Sequence, residues 1–238
     1  MNNHKKVLIT GASRGLGKEL AFVFANNDYD LVLHSKNNPL PVVYRNFRFD
    51  RSNTFVKYDS VHGDIQNLKT VDELVKISKE KEIGVFINNA AIYTKGLISD
   101  ISAERCHEIL NVNLISPIFL IKGIWEVFKK RGSGIIININ SVAGKSGSSG
   151  ESIYSASKHG LAGFLKCLQF ESVSCNIQII DVYLGGMKTQ MTCSRKDVEK
   201  LMSPYEAAKC IYSACLSDDV VTCKTTRISE ITINRRIY

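Results

Sequence analysis

The sequence predicts an α/β fold with a doubly wound parallel sheet, Rossmann-like and layered α/β/α. Three observations carry this. Short apolar runs alternate with longer stretches of helical period, the runs are nearly continuous in hydrophobicity, and a glycine-rich turn follows the first of them. Strand–helix alternation builds βαβ units. Strands without polar alternation belong to a sheet covered on both faces.

Strands are expected at Val7-Leu8-Ile9, Leu31-Val32-Leu33, Val85-Phe86-Ile87, Ile135-Ile136-Ile137 and Ile177 to Val182. Helices are expected between and after them at Gly15–Asn26, Leu68–Lys81, Ala103–Lys130, Ser152–Ser174 and Pro204–Leu216. Ser203 is a good N-cap residue, and Pro204 occupies the first helical position, where its missing N–H would be unpaired anyway. Between Lys36 and Val61 the chain carries Pro39, Pro41 and several Asn. A right-handed crossover must occur there, but no regular helix is expected in it. No repeat or low-complexity linker divides the chain, so residues 1–238 are read as one dinucleotide-binding domain.

A chain of 238 residues, 44% hydrophobic and 23% charged, can bury a sizeable core. The formal charge of +8 is spread in short groups such as Lys129-Lys130-Arg131 and Arg235-Arg236. A solvated surface with affinity for an anionic cofactor accounts for it, and no nucleic-acid partner is expected. The seven cysteines form no CxxC pair and no Cys/His cluster at zinc spacing, so no metal is expected. Cys167, Cys175 and Cys210 lie in apolar or helical surroundings, as small hydrophobes do, which suits a reducing cytosol. The opening MNNHKKVLIT is too poor in apolar residues for a signal-peptide core, and no run of about twenty apolar residues follows. The expectation is a soluble cytoplasmic protein with no membrane partner.

Thr10-Gly11-Ala12-Ser13-Arg14-Gly15-Leu16-Gly17 follows the first strand and opens the first helix. Glycines allow a tight turn and a close backbone approach to a pyrophosphate, while the helix N-terminus offers free N–H groups and a positive dipole end. The spacing is GxxxGxG rather than the general GxGxxG fingerprint, and position after the first strand is what gives it meaning. The second strand ends His34-Ser35-Lys36-Asn37, without the acid that would hold an NAD ribose hydroxyl. Lys36 and Arg14 are cations for a 2′-phosphate, so NADP(H) is favoured over NAD(H).

Tyr154 and Lys158 stand four residues apart, on one helix face. A phenol near its reference pKa of about 10 is a poor base, and a nearby ammonium would lower that value. Such a Tyr can protonate a carbonyl oxygen as hydride arrives, with Ser141 as a second hydrogen-bond donor to the same oxygen. A Tyr-x-x-x-Lys pair alone is common on helix surfaces; the other motifs distinguish this one.

Taken in order, the motifs resemble the short-chain dehydrogenase/reductase family, in its short single-domain branch, from about Lys6 to Ile233. Thr10–Gly17 is similar to its TGxxxGxG loop, and Asn88-Asn89-Ala90-Ala91 to its NNAG, with Ala91 in place of Gly. Asn111-Val112-Asn113-Leu114 resembles its NVNL segment, and Gly63-Asp64-Ile65 its adenine-contacting Asp and neighbour. Ser141 precedes Tyr154 by thirteen residues, the family's usual spacing.

The resemblance implies an oxidoreductase acting on a small ketone or secondary alcohol. Tyr154 would be the general acid/base, Lys158 would bind the nicotinamide ribose and lower the Tyr pKa, Ser141 would orient the carbonyl, and Asn113 would hold a relay water in a bend of its helix. Expected cofactor contacts are Gly11, Ser13, Arg14, Gly15, Leu16, Gly17, Ser35, Lys36, Asp64, Ile65, Asn89, Ala90, Tyr154, Lys158, Met187 and Thr189. A homodimer or homotetramer is implied, packing the helix of Ile121, Ile124, Trp125 and Phe128 and the Tyr154 helix, where Ala156, Ala162 and Gly163 are small. Two departures stand out. Leu184-Gly185-Gly186 replaces the family's Pro-Gly, which suggests a looser loop before Thr189. The short polar stretch from Gln190 to Ser203 suggests a small or solvent-open site, and the small, polar Gly147–Gly150 loop a hydrophilic or bulky substrate. A catalytically silent cofactor sensor is the alternative, but such a chain would be expected to lose Ser141, Tyr154 or Lys158, and all are present.

Overall fold

Continuous apolar runs give five strands no polar face to turn to water, so they form the interior of a sheet that has seven strands among the described residues. The computed structural model describes residues 5–37, 58–193, 197–216 and 227–235. The strands are β1 (Lys5–Ile9), β2 (Tyr29–Ser35), β3 (Tyr58–His62), β4 (Val85–Asn88), β5 (Gly134–Ser141), β6 (Ile177–Leu184) and β7 (Glu230–Ile233). Their order is β3-β2-β1-β4-β5-β6-β7, and every pairing is parallel. The order reverses between β1 and β4, the switch point where doubly wound sheets open a crevice at their carboxyl ends.

The helices are α1 (Gly15–Ala25), α2 (Leu68–Glu80), α3 (Ala103–Leu110), α4 (Ser116–Arg131), α5 (Ser152–Glu171) and α6 (Pro204–Leu216). Helices α1 and α6 pack on one face around Leu20, Phe24, Ile180 and Ile211. Helices α2, α4 and α5 cover the other around Leu74, Phe86, Ile124 and Leu161. The result is the expected three-layer α/β/α arrangement. Ser203 caps α6 as its sequence suggests, with Oγ 3.5 Å from the Glu206 amide, at the long limit of a hydrogen bond.

Five strands and all the expected helical stretches form close to their expected limits, with four differences. The edge strands β3 and β7 carry no apolar run; one residue of β3, Val61, and none of β7 is buried, so their sequences are half polar. β3 begins within the Lys36–Val61 segment, whose residues 38–57, including Pro39 and Pro41, lie outside the described residues. The Ala103–Lys130 helix is interrupted by a π-helical turn, Asn111–Ile115. By length and composition the helical stretch Ala103–Arg131 is also apolar enough to cross a membrane, contrary to expectation. Its apolar side chains Ile109, Leu120, Ile121, Ile124 and Phe128 are instead buried in the core, with Trp125 packed partly against them. Finally, Cys167 and Cys210 are exposed rather than packed as small hydrophobes.

Candidate active site

The carboxyl ends of β1, β2, β4, β5 and β6 surround one cleft of about 460 Å³. At one end lies the glycine loop. Gly11 and Gly15 have φ of +66° and +54°, backbone that side chains with a Cβ rarely adopt. Gly17 is closed for another reason: a Cβ would lie 2.2 Å from Gly11 O and 2.5 Å from Asn89 Nδ2. Asn89 Nδ2 donates to Thr10 O (2.8 Å) and Gly11 O (3.2 Å), and Thr10 Oγ1 accepts from the Asn89 and Ala90 amides at 3.0 and 3.1 Å. The Asn-Asn-Ala segment therefore clamps the loop against β4. His34 ties the same loop to β3, accepting from Gly11 N through Nδ1 (3.4 Å) and donating from Nε2 to Gly63 O (3.0 Å). Burial lowers its pKa, keeping the ring in the neutral form these bonds require.

No side chain caps α1, and its first turn carries no acid. Its leading N–H groups and dipole end are thus available to a phosphate, and the glycine cradle leaves room for one. These features fit a dinucleotide. Lys36 and Arg14 line the same end. Lys36 Nζ lies 2.6 Å from Asp64 Oδ2, and Arg14 donates to Gln190. Burial pushes the Asp64 carboxyl up, but Lys36 and the Gln66 amide outweigh it and hold it below its ordinary value.

At the other end stand Ser141, Tyr154 and Lys158. Ser141 ends β5, and its Oγ accepts from Ala143 N at 3.1 Å, which leaves the hydroxyl proton for the Tyr154 oxygen. Lys158 is buried, and Nζ donates to Ile139 O at 3.1 Å, 5.9 Å from the Tyr154 ring centroid. Here an expectation fails. The Tyr154 pKa is not lowered but pushed up to about 12, because burial outweighs the Ser141 hydrogen bond and Glu151 adds to the rise. Burial also brings Lys158 down to about 8, against the pull of Asp181.

A buried polar ladder supports this end. Asn88 Nδ2 donates to Asn138 Oδ1 (2.7 Å), and Asn138 Nδ2 donates to Asp181 Oδ1 (2.7 Å). Asn140 Nδ2 donates to Asp181 Oδ2 (2.9 Å), and Asn140 Oδ1 accepts from Ser141 N (2.8 Å). A carboxylate in a sheet interior is costly unless each oxygen is paired, and both are.

Of the residues expected around the cofactor and reacting centre, Ser35 and Asn113 do not line the cleft. Ser35 Oγ is turned to His62 Nδ1 and Asn37 O. Asn113, in the π turn, spends its amide on Ile92: Oδ1 accepts from Ile92 N (2.9 Å), and Nδ2 donates to Ile92 O (2.8 Å) and Ser157 Oγ (3.3 Å). The loop before Met187 and Thr189 is tied rather than loose. Gly185 N donates to Ile233 O (3.0 Å), and Gly186 O and Lys188 N bond the Met202 backbone at 3.1 and 2.8 Å. Sequence reasoning missed His34 as a lining residue. The position of His34 at the end of the second strand was the one local signal available.

The family model described as short chain dehydrogenase matches residues 5–200. The chain is 31% identical over 189 residues to a 3-oxoacyl-[acyl-carrier-protein] reductase of Synechocystis, covering 78% of this chain and 75% of the relative. It is 29% identical over 209 residues to the peroxisomal hydratase-dehydrogenase-epimerase of Saccharomyces cerevisiae, where 87% of this chain spans only 22% of that protein. Among solved structures, ElxO with NADP bound superposes with a TM-score of 0.83 at 26% identity, covering 97% of both chains.

Proposed function

The chain belongs to the short-chain dehydrogenase/reductase family, and from that premise we propose that it is an NADP(H)-dependent carbonyl reductase. The observation that carries this reading is the buried Tyr154 phenol, gathered with Ser141 and the Lys158 ammonium in the same cleft as the glycine loop. When bound, the nicotinamide supplies the hydride. Tyr154 delivers a proton to the carbonyl oxygen as negative charge develops on it. Ser141 donates a second hydrogen bond to that oxygen. A phenol held protonated by burial starts in the form that carbonyl reduction needs. Lys158 places an ammonium beneath the phenol, anchored on Ile139 O, and has further N–H donors for ribose hydroxyls. Asn113 acts as a positioning residue, holding the Ile92 backbone beside the reacting centre. NADP-bound ElxO, at 26% identity, supports the choice of cofactor. A panel of carbonyls and alcohols followed by nicotinamide absorbance, with NADPH and NADH, tests the reading. Absence of turnover with any member would favour a silent cofactor sensor.

Two expected results follow. Lys36→Ala should raise KM for NADPH about tenfold, the value of one charge-assisted bond, while KM for NADH stays within about twofold. Equal effects on both cofactors would place Lys36 away from the 2′-phosphate. The second concerns pH. The mechanism uses the Lys158 ammonium, and this form is lost as pH rises through its lowered value of about 8. Tyr154, at about 12, remains protonated throughout that range. Carbonyl reduction should therefore be flat at lower pH and decline above about 8. A profile of kcat/KM with no fall there would remove Lys158 from the charged role.

A further inference from the structure

Beyond Tyr154 the cleft holds a carboxylate that the reaction above does not use. Glu151 is the N-cap residue of α5, three positions before Tyr154 and so on the same side of the first turn. It lines the cleft with Tyr93, Ser146 and Ser148. Tyr93 Oη donates to Glu151 Oε1 at 2.6 Å. The Tyr93 ring also meets the Tyr154 ring edge-on, with centroids 5.0 Å apart, so the carboxylate stands one aromatic ring from the phenol.

This placement is built from two loops. Arg105 Nη2 donates to Tyr93 O at 2.8 Å, and Gly96 N donates to Gly150 O at 2.9 Å, joining the Tyr93 loop to the Glu151 loop. Gly150 has φ +79°, and a Cβ there would press on Lys95 Cγ at 3.3 Å. The chemistry of this half is one-sided. A carboxylate only accepts hydrogen bonds, the Tyr93 proton is committed to Oε1, and Ser146 Oγ donates to Val142 O. Glu151 Oε2 receives no hydrogen bond from the described residues. The cations Arg14 and Lys36 belong to the glycine-loop end, where Arg14 meets Gln190 and Lys36 meets Asp64, and the Lys158 ammonium lies under Tyr154, drawn to Ile139 O.

We propose that Glu151, held by Tyr93, reads a hydrogen-bond donor on the substrate, which makes the substrate a ketone with a hydroxyl or ammonium close to its carbonyl and excludes one with a carboxylate there. The proposal rests on the carbonyl-reductase reading of the same cleft. It goes beyond that reading by naming the group recognised. A donor to a carboxylate strengthens binding, and a second carboxylate beside it is repelled in a partly desolvated cleft.

The test compares dihydroxyacetone, 2-butanone and pyruvate as NADPH-dependent substrates of the wild type, Glu151→Gln and Glu151→Ala. In the wild type, kcat/KM should be about tenfold higher for dihydroxyacetone than for 2-butanone, with pyruvate lowest. Glu151→Gln keeps an acceptor and gains a donor, so pyruvate should improve about tenfold relative to dihydroxyacetone. Glu151→Ala should bring dihydroxyacetone down to the level of 2-butanone. Turnover with a dihydroxyacetone-to-pyruvate ratio unchanged in Glu151→Gln overturns the proposal and leaves the reductase reading standing. If the wild type turns over none of the three, calorimetry on the NADP-loaded Tyr154→Phe protein decides. Uptake of dihydroxyacetone that is lost with Glu151→Ala supports the proposal, and the reductase reading is then decided by the wider carbonyl panel; absence of uptake overturns the proposal.

Discussion

Replacing Tyr154 by Phe is expected to lower kcat for carbonyl reduction by about 10²–10⁴-fold, the usual contribution of a positioned general acid, while NADPH still binds. The two halves of this expectation have separate origins. The variant removes one oxygen atom and keeps the ring, so the edge-on contact with Tyr93 and the packing of α5 survive. The glycine loop is held by Asn89, Thr10 and His34, none of which touches the phenol oxygen. What is lost is the phenol proton beside the Ser141 hydroxyl, and the Lys158 ammonium, drawn to Ile139 O, does not replace it. A fluorescence titration with NADPH and a single-turnover absorbance trace separate binding from chemistry. Full activity in the variant would sink the assignment of Tyr154 as the acid. Weakened cofactor binding with intact chemistry would assign the hydroxyl to the cofactor instead.

How far the sequence reached into this site depended on the range of each interaction. Ser141, Tyr154 and Lys158 were legible because strand-end position and helical spacing are local properties, and the glycine loop because a tight turn demands particular residues. The five inner strands were legible for a related reason: buried on both faces, they leave no polar alternation to confuse the pattern. The edge strands β3 and β7 were not, since they bury almost nothing and so show no apolar run. The direction of the Tyr154 shift was also out of reach. Spacing places Lys158 one turn below Tyr154, but burial of the phenol and the hold of Ile139 O on the ammonium are tertiary facts. Asp181 reaches Asn140 and Asn138 only because β6 lies beside β5 in register. Likewise, nothing in the local sequence joins Tyr93 to Glu151, 58 positions apart. Chain position reveals residue types suited to a task; the partners that set their charge come from the fold.

Gly17→Ala is expected to have the second-largest effect, a fall in melting temperature of about 4–8 °C and at least about a tenfold loss of NADPH affinity. Helix propensity argues the other way, since Gly17 lies inside α1 and Ala is favoured over Gly there by about 1 kcal/mol. Packing decides the sign. A Cβ at Gly17 would sit 2.2 Å from Gly11 O and 2.5 Å from Asn89 Nδ2, and the nearer of these is backbone that cannot rotate away. Forcing a methyl into such a contact costs about 1–3 kcal/mol. Displacing the Thr10–Gly11 backbone from Asn89 also loosens bonds of 2.8 and 3.2 Å, each contributing about 0.5–1.5 kcal/mol. The net destabilisation is then about 2 kcal/mol, which a chain of this size registers at about 2–4 °C per kcal/mol. Cofactor affinity should suffer more than its share of that figure, because the atoms that move are those meant to approach the pyrophosphate. Thermal melts with and without NADPH, read beside a binding titration, distinguish the cases. A variant that melts like the wild type and binds NADPH equally well would show that the loop has room to yield and that its close packing on Asn89 does not set cofactor affinity.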